Sequence, residues 1–129
     1  MPTATPLATL PLIGTDTGFC CAPVTGTVIS AEEAEQLAHI FKALGDPTRV
    51  RLLSLISATE GGEACICDLT EPVALSQPTV SHHMKLLADA GLVTREQRGK
   101  WAYYRVVDRT LQSIAEAITP TAAGLPPRR

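Results

Sequence analysis

The chain has 129 residues, 45% of them hydrophobic, and a formal net charge of -2, which suits one domain with a real core. No run approaches the roughly 18 apolar residues of a membrane helix, and the N-terminus lacks the basic start of a secretory signal. We therefore expect a cytoplasmic protein with no membrane partner, in which a second copy of the chain covers further apolar surface.

The two ends of the chain differ in composition from its middle. Residues 1–18 and 119–129 are rich in Pro, Thr and Gly and show no apolar period, which is typical of mobile tails. We divide the chain into a flexible N-terminal arm over residues 1–29, a folded domain over 30–118 and a disordered tail over 119–129.

Two helices are predicted at the start of the folded domain. Ser30 and Glu33 form a capping box for a first helix over residues 31–44. Asp46 and Pro47 suit the N-cap and first position of a second helix, which the following Gly-Gly pair ends. One face of the first helix is traced by the apolar residues Ala34, Leu37, Ala38, Phe41 and Leu44. The buried stripe expected of the second helix is Val50, Leu53 and Ile56.

Two more helices are predicted before the spacing of apolar residues changes from that of a helix to that of a strand. A short third helix is expected over residues 70–75, because Pro72 lacks an N–H and is tolerated in a first turn. Ser76 is a natural N-cap for a fourth helix that ends near Gly91. Its apolar positions are Val80, Met84 and Leu87.

The C-terminal part of the domain is predicted as a hairpin followed by a helix. Residues 92–96 and 101–107 alternate as two strands around Arg98 and Gly99, and Asp108 caps a last helix. The expected fold is mainly α with a β-hairpin wing, in the order α-α-α-α-β-β-α. Such an order is typical of a winged helix-turn-helix, and we expect this one to be homodimeric.

The third and fourth helices together have the pattern of a helix-turn-helix. Its second helix enters the major groove with its N-terminal residues against base edges, while a basic hairpin lays cations along the phosphates. Glutamine suits an adenine edge, and serine and threonine suit several bases. The predicted DNA-binding residues are Ser76, Gln77, Thr79, Ser81, His82, Lys85, Arg95, Arg98 and Lys100.

Charge distribution supports double-stranded DNA as the partner. Residues 76–109 carry six basic and three acidic side chains, a local net charge of +3, while Glu32, Glu33 and Glu35 make the first helix acidic. The alternative interpretations are that these charges form an ordinary solvated surface and that the basic residues of the hairpin turn only increase solubility. We interpret His83 as a structural residue and not as a base contact. We expect the aromatic side chains of the hairpin to pack against the domain and not to stack on bases: Trp101, Tyr103 and Tyr104.

The four cysteines occur as two pairs, Cys20 with Cys21 and Cys65 with Cys67. In a reducing compartment they indicate metal binding or redox chemistry before structural disulfides. Thiolates prefer soft ions such as As(III), Sb(III), Cd(II), Pb(II), Zn(II) or Cu(I). Residues two apart on a helix point about 200° apart, so the second pair shares an ion only if its segment is extended or distorted. Pro72 predicts that the regular helix starts after this pair.

Four segments in order resemble the ArsR/SmtB winged-helix repressors, most closely the arsenic-responsive ones: FKALGDPTRVRLLSLI, ACICDL, LSQPTVSHHMKLLADAGLV and RGKWAYYRV. The resemblance covers about residues 34–118. It implies a homodimer built from the first and last helices, a palindromic operator, and release by a metal or metalloid. It also implies that Cys65 and Cys67 are ligands of the metal or metalloid.

One departure from this family concerns the third thiol. Thr70 stands where some members have a further cysteine, and the resemblance lets Cys20 and Cys21 replace it, with the arm of one subunit closing on the other subunit's pair. Three thiolates match As(III), and four match tetrahedral Cd(II), Pb(II) or Zn(II). The last-helix site of the zinc-responsive relatives needs histidines, and this helix has none.

We therefore predict a repressor that leaves its operator when As(III) or Sb(III) binds the cysteine thiolates. One alternative is a Cd(II)-, Pb(II)- or Zn(II)-responsive repressor, and another is a thiol redox sensor of the same fold. A thiol-dependent arsenate reductase is the alternative of another class. It commonly needs an Arg six positions after a Cys, and no cysteine here has one, so we expect no enzyme.

Overall fold

The computed structural model describes residues 23–26 and 28–120, so Cys20 and Cys21 lie outside the described residues. Its elements are α1 (Ala31–Leu44), α2 (Pro47–Ala58), β1 (Glu63–Cys65), α3 (Ile66–Val73), α4 (Gln77–Asp89), β2 (Val93–Arg98), β3 (Trp101–Val106) and α5 (Asp108–Ile118). This confirms a mainly α fold with a β-hairpin, to which β1 adds one strand. Within the described part of the chain, no helix is long and apolar enough to cross a membrane.

The first of two compact units holds the start of α1, most of α5 and the residues before α1. The capping box is present: the Ser30 N–H donates to Glu33 Oε1 at 3.0 Å, and the Glu33 N–H donates to Ser30 Oγ at 3.1 Å. The Val24 N–H donates to the Ala117 carbonyl at 2.8 Å, so the stretch before α1 runs beside the end of α5. Ile118 keeps 52% of its surface exposed.

The second unit, residues 38–108, holds most of the buried apolar side chains among the described residues. An N-cap fixes the residue at which α2 begins. Asp46 Oδ2 accepts the N–H groups of Thr48 at 2.9 Å and Arg49 at 3.2 Å, as expected of an N-cap. The largest fully buried side chains are Ile40, Leu52, Ile56, Leu69, Val80, Met84, Leu87 and Leu92. Three of them, Val80, Met84 and Leu87, confirm the predicted buried face of α4.

The buried face of α2 differs from the prediction at one position. Val50 is 50% exposed, whereas Leu52, Leu53 and Ile56 are buried. Counted from Arg49, the inward positions recur at i, i+3, i+4 and i+7, so Val50 lies one residue outside the stripe. The half-buried Arg49 occupies the N-terminal end of that face.

The predicted start of the third helix is wrong, because α3 begins at Ile66, before Cys67. Cys65 caps it: its backbone is extended (φ -76°, ψ 145°), and its Sγ accepts the Cys67 N–H at 3.3 Å. Pro72 stands in the second turn, where its missing N–H removes one helical hydrogen bond. The helix ends just after it, at Ala74 in the left-handed region (φ 59°).

The sheet has the order β1-β3-β2 and is antiparallel throughout. β2, β3 and the turn between them form a hairpin that we call the wing. Arg98 pairs with Trp101, which leaves a two-residue turn whose first residue, Gly99, has φ 62°. Primed two-residue turns need a positive φ at that position, which glycine adopts without strain. The short β1 adds to the free edge of β3.

Candidate functional site

The N-terminal end of α4 carries most of the predicted base-contacting residues. Ser76 Oγ accepts the Thr79 N–H at 3.4 Å and donates to Thr79 Oγ1 at 3.0 Å, so the Thr79 hydroxyl is held at the cap. Gln77, Thr79 and His82 are exposed, and Ser81 is half-buried. The buried side chains on the other face fix the rotation of α4, which leaves this polar end available to a partner.

Lys85 lies one turn further along the exposed side of α4. Its Nζ donates to Asp89 Oδ2 at 3.0 Å, and the two side chains keep 71% and 53% of their surfaces exposed. An exposed ion pair of this kind contributes about 1 kcal/mol at most, so a phosphate can displace the aspartate.

A groove of about 470 Å³ lies between α4 and the wing. The polar groups along it are Gln77, Ser81, Lys85 and Asp89 from α4, and Arg95, Gln97 and Lys100 from the wing. We call it the wing groove. Arg95 Nη2 donates to Gln97 Oε1 at 2.6 Å, and Gln97 Nε2 donates to the Gly99 carbonyl at 3.1 Å. These bonds fix the guanidinium beside the turn.

Strand alternation separates the third wing cation from the other two. Arg98 follows Gln97 along β2, so its side chain leaves the opposite face of the sheet. There its Nη1 donates to Glu63 Oε1 at 2.9 Å and its Nη2 to Glu63 Oε2 at 2.5 Å. Nη2 also lies 2.7 Å from Glu96 Oε1, and the guanidinium covers the Tyr103 ring with Cζ 4.4 Å from its centroid. In this structure Arg98 therefore makes its contacts within the sheet, whereas Arg95 and Lys100 line the wing groove.

The Glu63 carboxylate forms ion pairs with two arginines of the wing. The hydrogen bond from Arg98, aided by the charges of Arg98 and Arg105, holds the pKa of Glu63 below its ordinary value of 4.5 against the opposing effect of desolvation. Arg105 Nη2 lies 3.6 Å from Glu63 Oε2, and its Nη1 donates to the Gly61 carbonyl at 3.0 Å. Glu63 is thus the acceptor that joins β1 to the wing.

This ion pair gives the stability of the protein a defined pH dependence. Because the pKa of Glu63 is lower in the folded state, the contribution of its carboxylate is complete above the unfolded pKa and is lost as pH falls through the folded one. The difference in urea midpoint between wild type and Glu63→Gln should be constant above about pH 5.5 and shrink below about pH 4.5. A difference that stays constant down to about pH 3 would contradict this assignment.

His83 has a structural partner on α2. Arg49 Nη1 lies 3.1 Å from His83 Nδ1, and Arg49 Nε donates to the Ala43 carbonyl at 2.6 Å. Because arginine only donates, His83 Nδ1 is the acceptor in this contact. The contact agrees with a structural role for His83. Of the wing aromatics, Tyr104 is buried as predicted, Tyr103 is half-buried under Arg98, and Trp101 is 38% exposed.

The structure brings Cys65 and Cys67 together at the start of α3. Their Cα atoms are 5.1 Å apart and their sulfurs are in bonding contact, as in a disulfide. Cys65 is buried and Cys67 is exposed, so the pair opens to solvent on one side. The sulfurs meet because Cys65 precedes the helix with extended backbone, although Cys67 already belongs to the helix. We call these two residues the thiol pair.

As free thiolates, the thiol pair fits a soft ion. Two sulfurs on one zinc-sized ion stand roughly 3.7 Å apart, given bonds of about 2.3 Å and tetrahedral angles. A Cα separation of 5.1 Å permits that spacing. No group of three or more His, Cys, Asp or Glu that could hold a metal occurs among residues 23–26 and 28–120. A complete site therefore needs donors from outside this part of the chain, and Cys20 and Cys21 are the thiols that remain.

Sequence reasoning missed the residues that join these sites. Glu63 was not singled out, and Arg98 was assigned to DNA alone, although the two side chains form the bidentate pair between β1 and the wing. The available signal was the EACIC segment, in which an acidic residue precedes the thiol pair by two positions. Gln97 was also missed, although it holds Arg95 in the wing groove.

The chain is similar to proteins from bacteria and archaea. The model of the family described as bacterial regulatory protein, arsR family, matches residues 46–95. An uncharacterized HTH-type transcriptional regulator of Methanocaldococcus jannaschii is 39% identical over 87 residues, which are 67% of this chain and 96% of that protein. The arsenical resistance operon repressor of Staphylococcus xylosus is 46% identical over 80 residues, 62% of this chain and 74% of the repressor.

Two solved structures have the same arrangement of elements. The crystal structure of the AntR antimony-specific transcriptional repressor aligns with a TM-score of 0.59 at 30% identity, covering 70% of this chain and 80% of that one. A homodimeric winged helix-turn-helix DNA-binding domain from Mycobacterium bovis aligns with a TM-score of 0.57 over 70% of this chain and 84% of its own. At 23% identity, the second match shows the fold alone.

Proposed function

Because this chain belongs to the arsR family of bacterial regulatory proteins, we propose that it is a repressor that binds operator DNA and is released when thiolates capture As(III) or Sb(III). Its family makes it a transcriptional regulator and not an enzyme, which sets the arsenate reductase alternative aside. The observation that carries the metalloid proposal is the thiol pair, which lies at the start of the helix that packs against α4.

The DNA contacts that we propose combine the end of α4 with two wing cations. Gln77, Thr79, Ser81 and His82 would meet base edges, and Ser76 with the first N–H groups of α4 would meet a phosphate. Arg95 and Lys100 line the wing groove together with Lys85, so a phosphate backbone along the groove meets three positive charges. Arg98 would contribute only after leaving Glu63.

We propose a homodimer in the cytoplasm, where the operator is. Phe41 on α1 and Ile118 on α5 are large apolar side chains left 37% and 52% exposed, on the two helices expected to form the interface. The Mycobacterium bovis relative is described as homodimeric. A two-fold dimer would place two α4 helices about 34 Å apart, one turn of DNA, which suits a palindromic operator.

The thiol pair supplies two ligands, and the proposal takes the third from Cys20 or Cys21. Three sulfurs match the coordination of trivalent arsenic or antimony, whereas four would suit Cd(II), Pb(II) or Zn(II). The similarity to arsenical resistance and antimony-specific repressors supports the trivalent metalloids. A hundredfold loss of DNA affinity requires about 2.7 kcal/mol of coupling, which is within the usual range for allosteric ligands.

Titration of the DNA complex tests this function. We expect reduced protein to bind DNA selected from a random-sequence pool, and arsenite to weaken this binding about a hundredfold, measured by fluorescence anisotropy. DNA binding that arsenite leaves unchanged would refute the proposal. Release by Cd(II) or Zn(II) with arsenite inert would support the tetrahedral alternative, and release by peroxide in metal-free buffer would support the redox sensor.

A further inference from the structure

We propose that Glu63 is a positioning residue that transmits occupancy of the thiol pair to the wing through its ion pair with Arg98. The inference rests on the proposed function and names how its two sites communicate. It assigns no DNA or metalloid contact to Glu63 itself.

The first link is the backbone of β1. Glu63, Ala64 and Cys65 are three successive residues of one strand, so a displacement of the Cys65 backbone also moves Glu63. This strand pairs with β3 in the register Glu63 with Arg105 and Cys65 with Tyr103. One thiol of the pair therefore belongs to the same sheet as the wing.

The second link is made by side chains across 35 residues of sequence. Both carboxylate oxygens of Glu63 accept from Arg98, and only 21% of the Glu63 side chain is exposed. The Arg98 guanidinium also covers Tyr103, the β3 residue opposite Cys65. Arg98 is the last residue of β2, directly before the turn that holds Lys100. A shift of Glu63 thus reaches the tip of the wing.

Ligand capture changes the part of the structure where this connection begins. In this structure, in which the two sulfurs are in bonding contact, Cys65 Sγ accepts the Cys67 N–H and caps α3. When the reduced pair binds an ion, the Cys65 thiolate turns towards that ion, and the three-residue strand β1 shifts with it. The shift moves Arg98 and the turn relative to α4, which changes the spacing of cations along the wing groove. The two arrangements then differ in DNA affinity, as a ligand-driven release requires.

The test compares two neutralising substitutions on the two acids that hold Arg98. Glu63→Gln removes the partner on β1, whereas the matched control Glu96→Gln removes the partner within the wing. For each protein we measure the ratio of operator Kd values with and without arsenite, arsenite affinity without DNA, and the fluorescence of Trp101, the single tryptophan, which pairs with Arg98.

We expect wild type and Glu96→Gln to keep a ratio of about 100 and a change in Trp101 emission on adding arsenite. Glu63→Gln should bind arsenite as wild type does, yet show a ratio below about 10 and little change in emission. Arg98→Gln should lower the ratio equally, and the double variant should lower it no further, because both substitutions break one link.

Three outcomes would overturn the inference. They are a Glu63→Gln ratio within about twofold of wild type, an equal loss of the ratio in Glu96→Gln, and a loss of arsenite binding by Glu63→Gln. A loss of arsenite binding would mean that Glu63 contributes to binding of the ion and not to the connection with the wing. A wild type that arsenite does not release would instead refute the proposed function, so the two failures are distinguishable.

Discussion

Cys65→Ser/Cys67→Ser is expected to bind the operator as wild type does and to lose its response to arsenite. Serine retains the size of the side chain but offers a hard oxygen where As(III) requires a soft thiolate. Wild type should lose DNA affinity about a hundredfold with arsenite, and the variant less than about twofold, measured by anisotropy under reducing conditions. A variant still released by arsenite would show that the thiol pair is not the sensor.

A second pair of substitutions separates the arm from this result. Cys20→Ser/Cys21→Ser leaves the thiol pair intact, so it serves as the matched control for sulfur content. X-ray absorption of the As(III) complex should count three sulfur neighbours in wild type and two in this variant. An unchanged count would remove the arm from the ligand set. The urea midpoint of Cys65→Ser/Cys67→Ser, compared with that of wild type, measures whether the buried Cys65 position tolerates serine.

Arg95→Ala/Lys100→Ala is expected to weaken DNA binding strongly and without regard to sequence. Each side chain lines the wing groove, where it would neutralise one phosphate, and each lost charged contact costs about 1.5 kcal/mol, roughly tenfold in Kd. Because the proposed dimer carries both residues twice, four contacts are lost, so the double variant should bind operator and unrelated DNA about ten-thousandfold more weakly. Its plot of log K against log salt should be shallower by about 4.

Arg98→Gln is the matched control for this prediction, because it removes a cation from the same hairpin but from the opposite face of the sheet. With Arg98 held by Glu63, the salt slope of the unliganded protein should change by less than about 0.5. An Arg98→Gln slope that falls as far as that of the double variant, per charge removed, would place Arg98 on the phosphates and contradict the division of the wing cations.

Local chemistry made much of the fold predictable from sequence. The Ser30–Glu33 box and the Asp46 and Ser76 caps are recognised from residues within three positions of each other, and all three are present. The buried face of α4 followed from spacing alone. These features depend on the nearest turn of the chain and need no tertiary information.

The errors arose where a residue acted outside its usual preference or at long range. Cysteine is not among the favoured N-cap residues, so the start of α3 at Cys65 was not expected, and Pro72 was given too much weight. Three residues cannot show an alternating pattern, which hid β1 until β3 supplied its partner. Val50 was included because it is apolar, although the buried stripe begins at Arg49.

The candidate site was predictable in its residue types more than in its geometry. Sequence indicated that two thiols and a basic hairpin matter, and the structure brings the thiols together and places Arg95 and Lys100 beside α4. The opposite orientation of Arg98 follows from strand alternation, but the predicted strand over 92–96 stopped before this residue. Its partner Glu63 lies 35 residues away, which no local pattern specifies. The roles of Cys20 and Cys21, and of each DNA-facing side chain, remain predictions.

If thiolate capture and operator binding oppose each other, thermodynamic reciprocity requires each ligand to weaken the binding of the other by the same factor. Arsenite affinity can be measured by calorimetry on the free dimer and on the dimer saturated with operator. We expect operator to weaken arsenite binding by the same factor, about 100, by which arsenite weakens operator binding. Equal arsenite affinities in the two states would contradict it.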